Sequence, residues 1–132
     1  MNLLEHLDIQ IKQTSPEQVE LTLVVRDIHK QPFGIMHGGM NGVLIETACS
    51  LGANQNVKSN EYCVGVDLQV NHLQAVSTGE LNIIATPDKI GRTLQVWQAT
   101  VYQKNKKIAV GRCTLMVQRT KIKGADPKVA PV

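Results

Sequence analysis

Among the 132 residues of the chain, one carboxylate stands where a carboxylate is costly. Glu46 is the only charged residue between Gly39 and Val57, a run of apolar, small and neutral polar side chains that reads GMNGVLIETACSLGANQNV. A helix apolar on nearly all sides belongs inside a fold. An unpaired carboxylate carried there costs on the order of several kcal/mol unless it is neutralised, paired or used. The residues just ahead point to use. Met36-His37-Gly38-Gly39 brings a histidine and two glycines to the start of the helix, where orphan backbone N–H groups and the helix dipole favour negative charge. A carboxylate can act as nucleophile or general base, an N–H at a helix start can hold negative charge, and apolar walls keep a site partly dry. All three are present in this stretch.

The elements that must position these groups follow from periodicity. Met40, Val43, Leu44, Thr47, Ala48 and Leu51 recur at helical spacing, which predicts one stripe packed on a broad surface, and a sheet is the natural partner. Glu46 lines up instead with Gly42, Val43, Cys49, Ser50 and Ala53, which leaves room for a ligand beside the carboxylate. Gly52, Asn54 and Asn56 weaken the helix towards Lys58. Residues 2 to 7 suit a short helix, and Val19, Leu21, Leu23 and Val25 alternate as a strand. Pro32 and Gly34 break the loop that leads to His37. Four strands are expected after the long helix. In the first, Val64, Val66, Leu68, Val70 and His72 share one face and Gly65, Asp67, Gln69 and Asn71 the other. The second covers about Glu80 to Thr86, and the third Arg92 to Gln103, with a turn at Lys104-Asn105-Lys106. The last carries Ala109, Gly111, Cys113, Leu115 and Val117 on one face. The sum is an α+β domain with an antiparallel sheet wrapped around one helix. It spans residues 1–120, with 121–132 expected to form a frayed tail.

Composition narrows the function further. An apolar content of 42% with 19% charged residues suits a soluble single domain, and no apolar run approaches a membrane span. The start MNLLEHLDIQIK lacks the marks of a secretory signal, so the cytoplasm is the expected location. Three cysteines without CxxC spacing argue against a disulfide framework and against a zinc site. His6, His29, His37 and His72 show no ligand spacing, and neither metal nor cofactor is expected. The net charge of +3 is modest and only four aromatic residues occur, which excludes nucleic acid as the expected partner.

From Gln31 to Gly39, QPFGIMHGG, and again at Glu46-Thr47-Ala48 and Asn71-His72, the chain resembles the hotdog-fold acyl-CoA thioesterases. It is most similar to the branch holding the Arthrobacter-type 4-hydroxybenzoyl-CoA thioesterases and the 1,4-dihydroxy-2-naphthoyl-CoA thioesterases. The similarity covers about residues 3 to 119. It implies a hotdog fold and hydrolysis of an aromatic or medium-chain acyl-CoA. It implies further that Glu46 attacks the thioester or activates water, that the Gly38 N–H receives the oxyanion, and that Gln31 positions the carbonyl or the water. His37 would brace the loop or contact the substrate near the thioester, Ser50 would hold the hydrolytic water, and Gly39, Thr47 and His72 would contact substrate. Lys89, Arg92, Arg119 and Lys121 are candidates for the CoA phosphates.

One geometric step adds to the resemblance. Glu46 lies eight residues beyond Gly38, roughly 12 Å along a helix, more than a glutamate side chain spans. The two groups can meet at one carbonyl only if different subunits supply them, which predicts a homodimer at minimum; the resemblance implies a homotetramer built as a dimer of dimers. Two rivals share the fold: a dehydratase of 3-hydroxyacyl thioesters, whose histidine loop has a different spacing, and a non-catalytic acyl-CoA sensor, expected to lack the glutamate.

Overall fold

The structure, a computed structural model, describes residues 1–120. The tail expected at 121–132, together with Lys121, lies outside the described residues. A short helix α1 (Leu3–His6) leads through Asp8, at φ 58°, into β1 (Gln10–Thr14) and β2 (Val19–Val24). A 3-10 turn at Asp27–His29 precedes the long helix α2 (Gly38–Asn54). Then come β3 (Glu61–His72), β4 (Glu80–Ile90), β5 (Leu94–Gln103) and β6 (Lys106–Arg119). The strands form one antiparallel sheet in the order β1-β2-β4-β5-β6-β3, and α2 packs on β2 to β6. This is the expected α+β architecture of a sheet around one helix. Among the described residues no helix is long and apolar enough to cross a membrane.

The core between helix and sheet is continuous. Leu44, Ile45, Ala48, Cys49 and Ala53 of α2 meet Leu21, Leu23, Leu81, Ile83, Trp97, Val101 and Leu115 of the sheet, all essentially without solvent contact. Burial of this kind is the main stabilising term, at roughly 25 cal/mol per Å² of apolar surface. The helix face that meets the sheet differs from the expected stripe. Val43 and Leu51 are only half-buried, whereas Ile45 and Cys49 are fully buried.

Two glycines explain how a helix this bulky lies so close. A Cβ at Gly111 of β6 would stand 2.9 Å from Ile45 Cδ1, and a Cβ at Gly52 would overlap the ring of the buried Trp97. Gly52 therefore does more than weaken the helix: it lets the indole underneath. Trp97 Nε1 donates to Gln95 Oε1 at 2.9 Å, and Gln95 Nε2 donates to the Ala53 carbonyl at 3.0 Å, so sheet and helix are also joined by polar contacts. Asn54 near the helix end accepts from the Cys63 N–H at 2.9 Å.

Three expectations change. Strand β1 has no sequence signature, because four of its five residues are exposed and its side chains do not alternate in burial. It is held by pairing to the edge of β2. Strand β4 continues past Thr86 through Pro87 to Ile90, with an irregularity between Pro87 and Lys89 that absorbs the proline. In β3 the register slips between Gly65 and Asp67, so Val66 is an extra residue. One inserted residue exchanges the faces. Cys63 and Gly65 before it and Leu68 and His72 after it all point to the helix, and Val66 is turned out to solvent. The single-face assignment of Val64, Val66, Leu68, Val70 and His72 is therefore corrected.

The Gly52–Trp97 contact makes a prediction with a definite sign. An exposed helical Gly→Ala change stabilises by ~1 kcal/mol, but Gly52→Ala drives a methyl into a ring that has no room to move, which costs ~1–3 kcal/mol. Urea unfolding of Gly52→Ala is expected at a lower midpoint than the wild type; an equal or higher midpoint contradicts the packing.

Candidate active site

The loop ahead of α2 is fastened on both sides. The Met36 N–H donates to the Val76 carbonyl at 2.7 Å, and the His37 N–H donates to the His29 carbonyl at 2.8 Å. Inside the loop the Gly34 N–H donates to the Gln31 carbonyl at 3.1 Å, with Gly34 at φ 86°, a conformation suited to glycine. The Gln31 side chain accepts from the Phe33 N–H through Oε1. His29, which is buried, ties this region to α1: its Nδ1 accepts from the Arg26 N–H at 2.9 Å, and its Nε2 donates to the Leu7 carbonyl at 2.7 Å. The chain thus enters α2 along a fixed path.

His37 is the N-cap of that helix. Its Nδ1 accepts from the Gly39 N–H at 2.7 Å, and its carbonyl accepts from the Met40 N–H at 2.9 Å. These bonds satisfy the N–H groups of Gly39 and Met40 and leave that of Gly38 without an acceptor among the described residues. Such a donor at a helix N-terminus is a ready oxyanion site. Gly38 borders a pocket of about 300 Å³ whose other walls include Gln31, Met36, Asn41, His72 and Val76. The His72 ring lies against Gly38 so closely that a Cβ there would stand 3.1 Å from Cε1. Asn41, one turn along from Gly38 and buried, donates from Nδ2 to His72 Nδ1 at 3.1 Å.

Glu46 is two turns farther on, roughly 12 Å along the axis, and does not line this pocket. It is half-buried, with no ion-pair or side-chain hydrogen-bond partner among the described residues. Its carboxylate lies over Gly65 of β3, where any Cβ would overlap Oε2 and would stand 3.5 Å from Cys113 Sγ. Ser50, one turn after Glu46, is buried and takes a long contact of 3.4 Å from Asn54 Nδ2. Thr47 is buried as well. The fold therefore gathers Gln31, Gly38 and His72 around one pocket, with His37 and Gly39 at its cap, and sets Glu46, Thr47 and Ser50 apart from it. Lys89 and Arg92 are exposed at the β4–β5 turn, and Arg119 Nε is 3.7 Å from Glu61.

Two site neighbours, Asn41 and Gly65, were not singled out by sequence. Asn41 left a trace, being a polar residue one turn from Gly38 in the same apolar run as Glu46. Gly65 left none, since only the irregularity at Val66 turns it towards the helix.

Cysteines beside Glu46 do not compete with it as nucleophiles. The Cys113 thiol is pushed up to about 12, by burial first and then by the charges of Glu46 and Asp67. Cys49 is pushed higher still, by burial first, then by Cys113, Glu46 and Asp88. A protonated thiol is a poor nucleophile. Among the described residues no group of three or more His, Cys, Asp or Glu is placed to hold a metal ion.

Comparison with known proteins identifies the family. The family model described as the thioesterase superfamily matches residues 33–110. The solved structure of a thioesterase from Haemophilus influenzae superposes with a TM-score of 0.85 at 35% identity, covering 92% of this chain and 86% of that one. The 1,4-dihydroxy-2-naphthoyl-CoA hydrolase of Listeria monocytogenes is 32% identical over 90% of this chain and 98% of its own length. The proofreading thioesterase EntH of Cronobacter turicensis is 31% identical over 77% and 74%.

The thiol environment is directly testable. At pH 8, iodoacetamide is expected to leave Cys49 and Cys113 unmodified in the native protein and to label both after unfolding, as read by peptide mass. Rapid native labelling of either one contradicts the burial described.

Proposed function

As a member of the thioesterase superfamily this chain, with its hotdog fold, is a thioester hydrolase, and we propose that its substrate is an aromatic or medium-chain acyl-CoA cleaved at a site shared by two subunits. The observation that carries this reading is the Gly38 N–H, without an acceptor among the described residues, at a pocket lined also by Gln31 and His72, while Glu46 stands outside that pocket on the same helix. A relative named for a naphthoyl-CoA supports the aromatic choice.

The free edge of the sheet supports the pairing. Strand β3 ends the strand order, and Val66, Asp67, Gln69, Asn71 and His72 are exposed along it. Unpaired edges invite another strand. Two β3 strands paired antiparallel about a two-fold axis near Asp67 and Leu68 set His72 beside the stretch from Cys63 to Gly65 of the partner subunit, the ground over which the partner's Glu46 lies. The Gly38 end of one subunit then faces the carboxylate of the other.

At such a site the thioester carbonyl accepts from the Gly38 N–H. Glu46 of the partner subunit removes a proton from water as the oxygen adds to the carbonyl carbon, or adds to that carbon itself. Both routes pass through a tetrahedral oxyanion facing the Gly38 N–H, and both expel the CoA sulfur as the C–S bond breaks. The direct route leaves an anhydride that water then opens. The proton that Glu46 draws from water, or in the direct route a proton of the water that opens the anhydride, passes to the departing thiolate. Free acid and CoA thiol are therefore the products, and no cofactor takes part.

Free-thiol release from a panel of acyl-CoAs tests this reading. Glu46→Ala is expected to lose about 10³-fold or more in kcat, the scale of losing a principal catalytic group. Gly65→Ala, whose methyl displaces only the mobile end of Glu46, is expected to keep its unfolding midpoint while kcat falls at least tenfold. Equal rates for wild type and Glu46→Ala contradict the assignment, and release from no acyl-CoA contradicts the substrate class.

A further inference from the structure

A buried asparagine with half of its amide unsatisfied calls for a reason. Asn41 is 96% buried (relative exposure 4%), and its Oδ1 has no hydrogen-bond partner among the described residues. Leaving a buried carbonyl oxygen unpaired costs more than one neutral hydrogen bond returns. The bond that Asn41 does make, Nδ2 to His72 Nδ1, goes to a histidine that is itself exposed in the single chain. Such a bond is a poor source of stability, and a leucine of similar volume would fill the same place without orphaning an oxygen. Stability does not explain the residue, but orientation of the His72 ring does.

The chemistry of the contact fixes which way the ring is set. An amide nitrogen only donates, so His72 Nδ1 must accept, and the ring proton lies on Nε2. The ring packs against Gly38, with Nε2 3.4 Å from the position of a Cβ there. His72, Gly38 and Asn41 all line the same pocket. We propose that Asn41 is a positioning residue: it clamps His72 in the Nε2–H form, so that a second donor stands beside the Gly38 N–H where the thioester carbonyl binds. This rests on the reading of that pocket as the carbonyl site. The ring is thereby held against Gly38 before substrate arrives, and a preset donor needs no reorganisation as charge develops.

Four variants of the protein, with and without substrate, test the inference. Imidazole ¹⁵N shifts of His72, recorded on the free protein, are expected to report Nε2–H in the wild type. They should report a mixture of tautomers in Asn41→Leu. In Asn41→Asp the ring proton should move to Nδ1, because a carboxylate can only accept. Asn41→Leu is expected to unfold at the same or a higher urea concentration than the wild type, while kcat falls about tenfold, the scale of one misplaced hydrogen bond. The double variant Asn41→Leu with His72→Ala is expected to be no slower than His72→Ala alone. Nδ1–H in the wild type, unchanged His72 shifts in Asn41→Leu, or full additivity of the two losses overturns the proposal. A stability loss in Asn41→Leu with unaltered His72 shifts assigns Asn41 to packing and also overturns it. Should His72→Ala hydrolyse as fast as wild type while the shifts behave as stated, the clamp stands and the reading of the pocket as the carbonyl site fails.

Discussion

A helix cannot bend back on itself, and this one carries both the proposed oxyanion donor and a carboxylate. The Gly38 N–H and Glu46 are fixed on α2 at opposite ends of its first half, roughly 12 Å apart, and neither caps nor side-chain freedom can close that gap. The rest of the structure conforms to this separation. The sheet wraps the helix tightly, the loop ahead of it is tied to His29 and Val76, and the long edge strand β3 is paired on one side only among the described residues. In the proposed assembly, pairing that edge would bring the two groups together without any movement of the helix.

The close fit of helix to sheet depends on residues that are small. Gly52 admits Trp97, Gly111 admits Ile45, and Gly65 admits the carboxylate of Glu46. The first two let core packing reach interior density. The third is different in kind, because it leaves a carboxylate beside backbone and thiol with no cation within ion-pairing distance among the described residues. That environment already raises the neighbouring thiols. A carboxylate so placed, without a partner among the described residues, remains available to a substrate.

Much of this was legible in the sequence, and the exceptions have physical causes. The long helix, its lone carboxylate and the glycine-rich start stood out because a charge in an apolar run and paired glycines are strong local signals. Strand β2 and the inner face of β6 followed from clean alternation. Strand β1 was invisible because it buries almost nothing, and the faces of β3 were misassigned because a one-residue irregularity leaves the alternation of valines intact while reversing its meaning. Gln31, Gly38 and His72, named through resemblance, do share a pocket. Asn41 was passed over because an uncharged polar residue in a helix is unremarkable until its hydrogen bonds are counted. Separation of Glu46 from Gly38 was readable from helical rise alone.

Complementation between two inactive variants tests the shared site most directly. Gly38→Pro removes the N–H while suiting the first position of a helix, and His37, at φ −60° and ψ 133°, already has the backbone a following proline demands. Its ring atoms crowd His72, 3.1 Å from a Cβ at that position, so folding is verified by unfolding midpoint. Mixed with Glu46→Ala and allowed to exchange subunits, it forms hybrid dimers in which one site receives an intact Gly38 from one chain and an intact Glu46 from the other. About one quarter of wild-type thiol release is expected from a fully exchanged equal mixture, since about half the dimers are hybrid and each has one working site. No release above the separate variants, with exchange and folding demonstrated, would contradict a site built from two subunits.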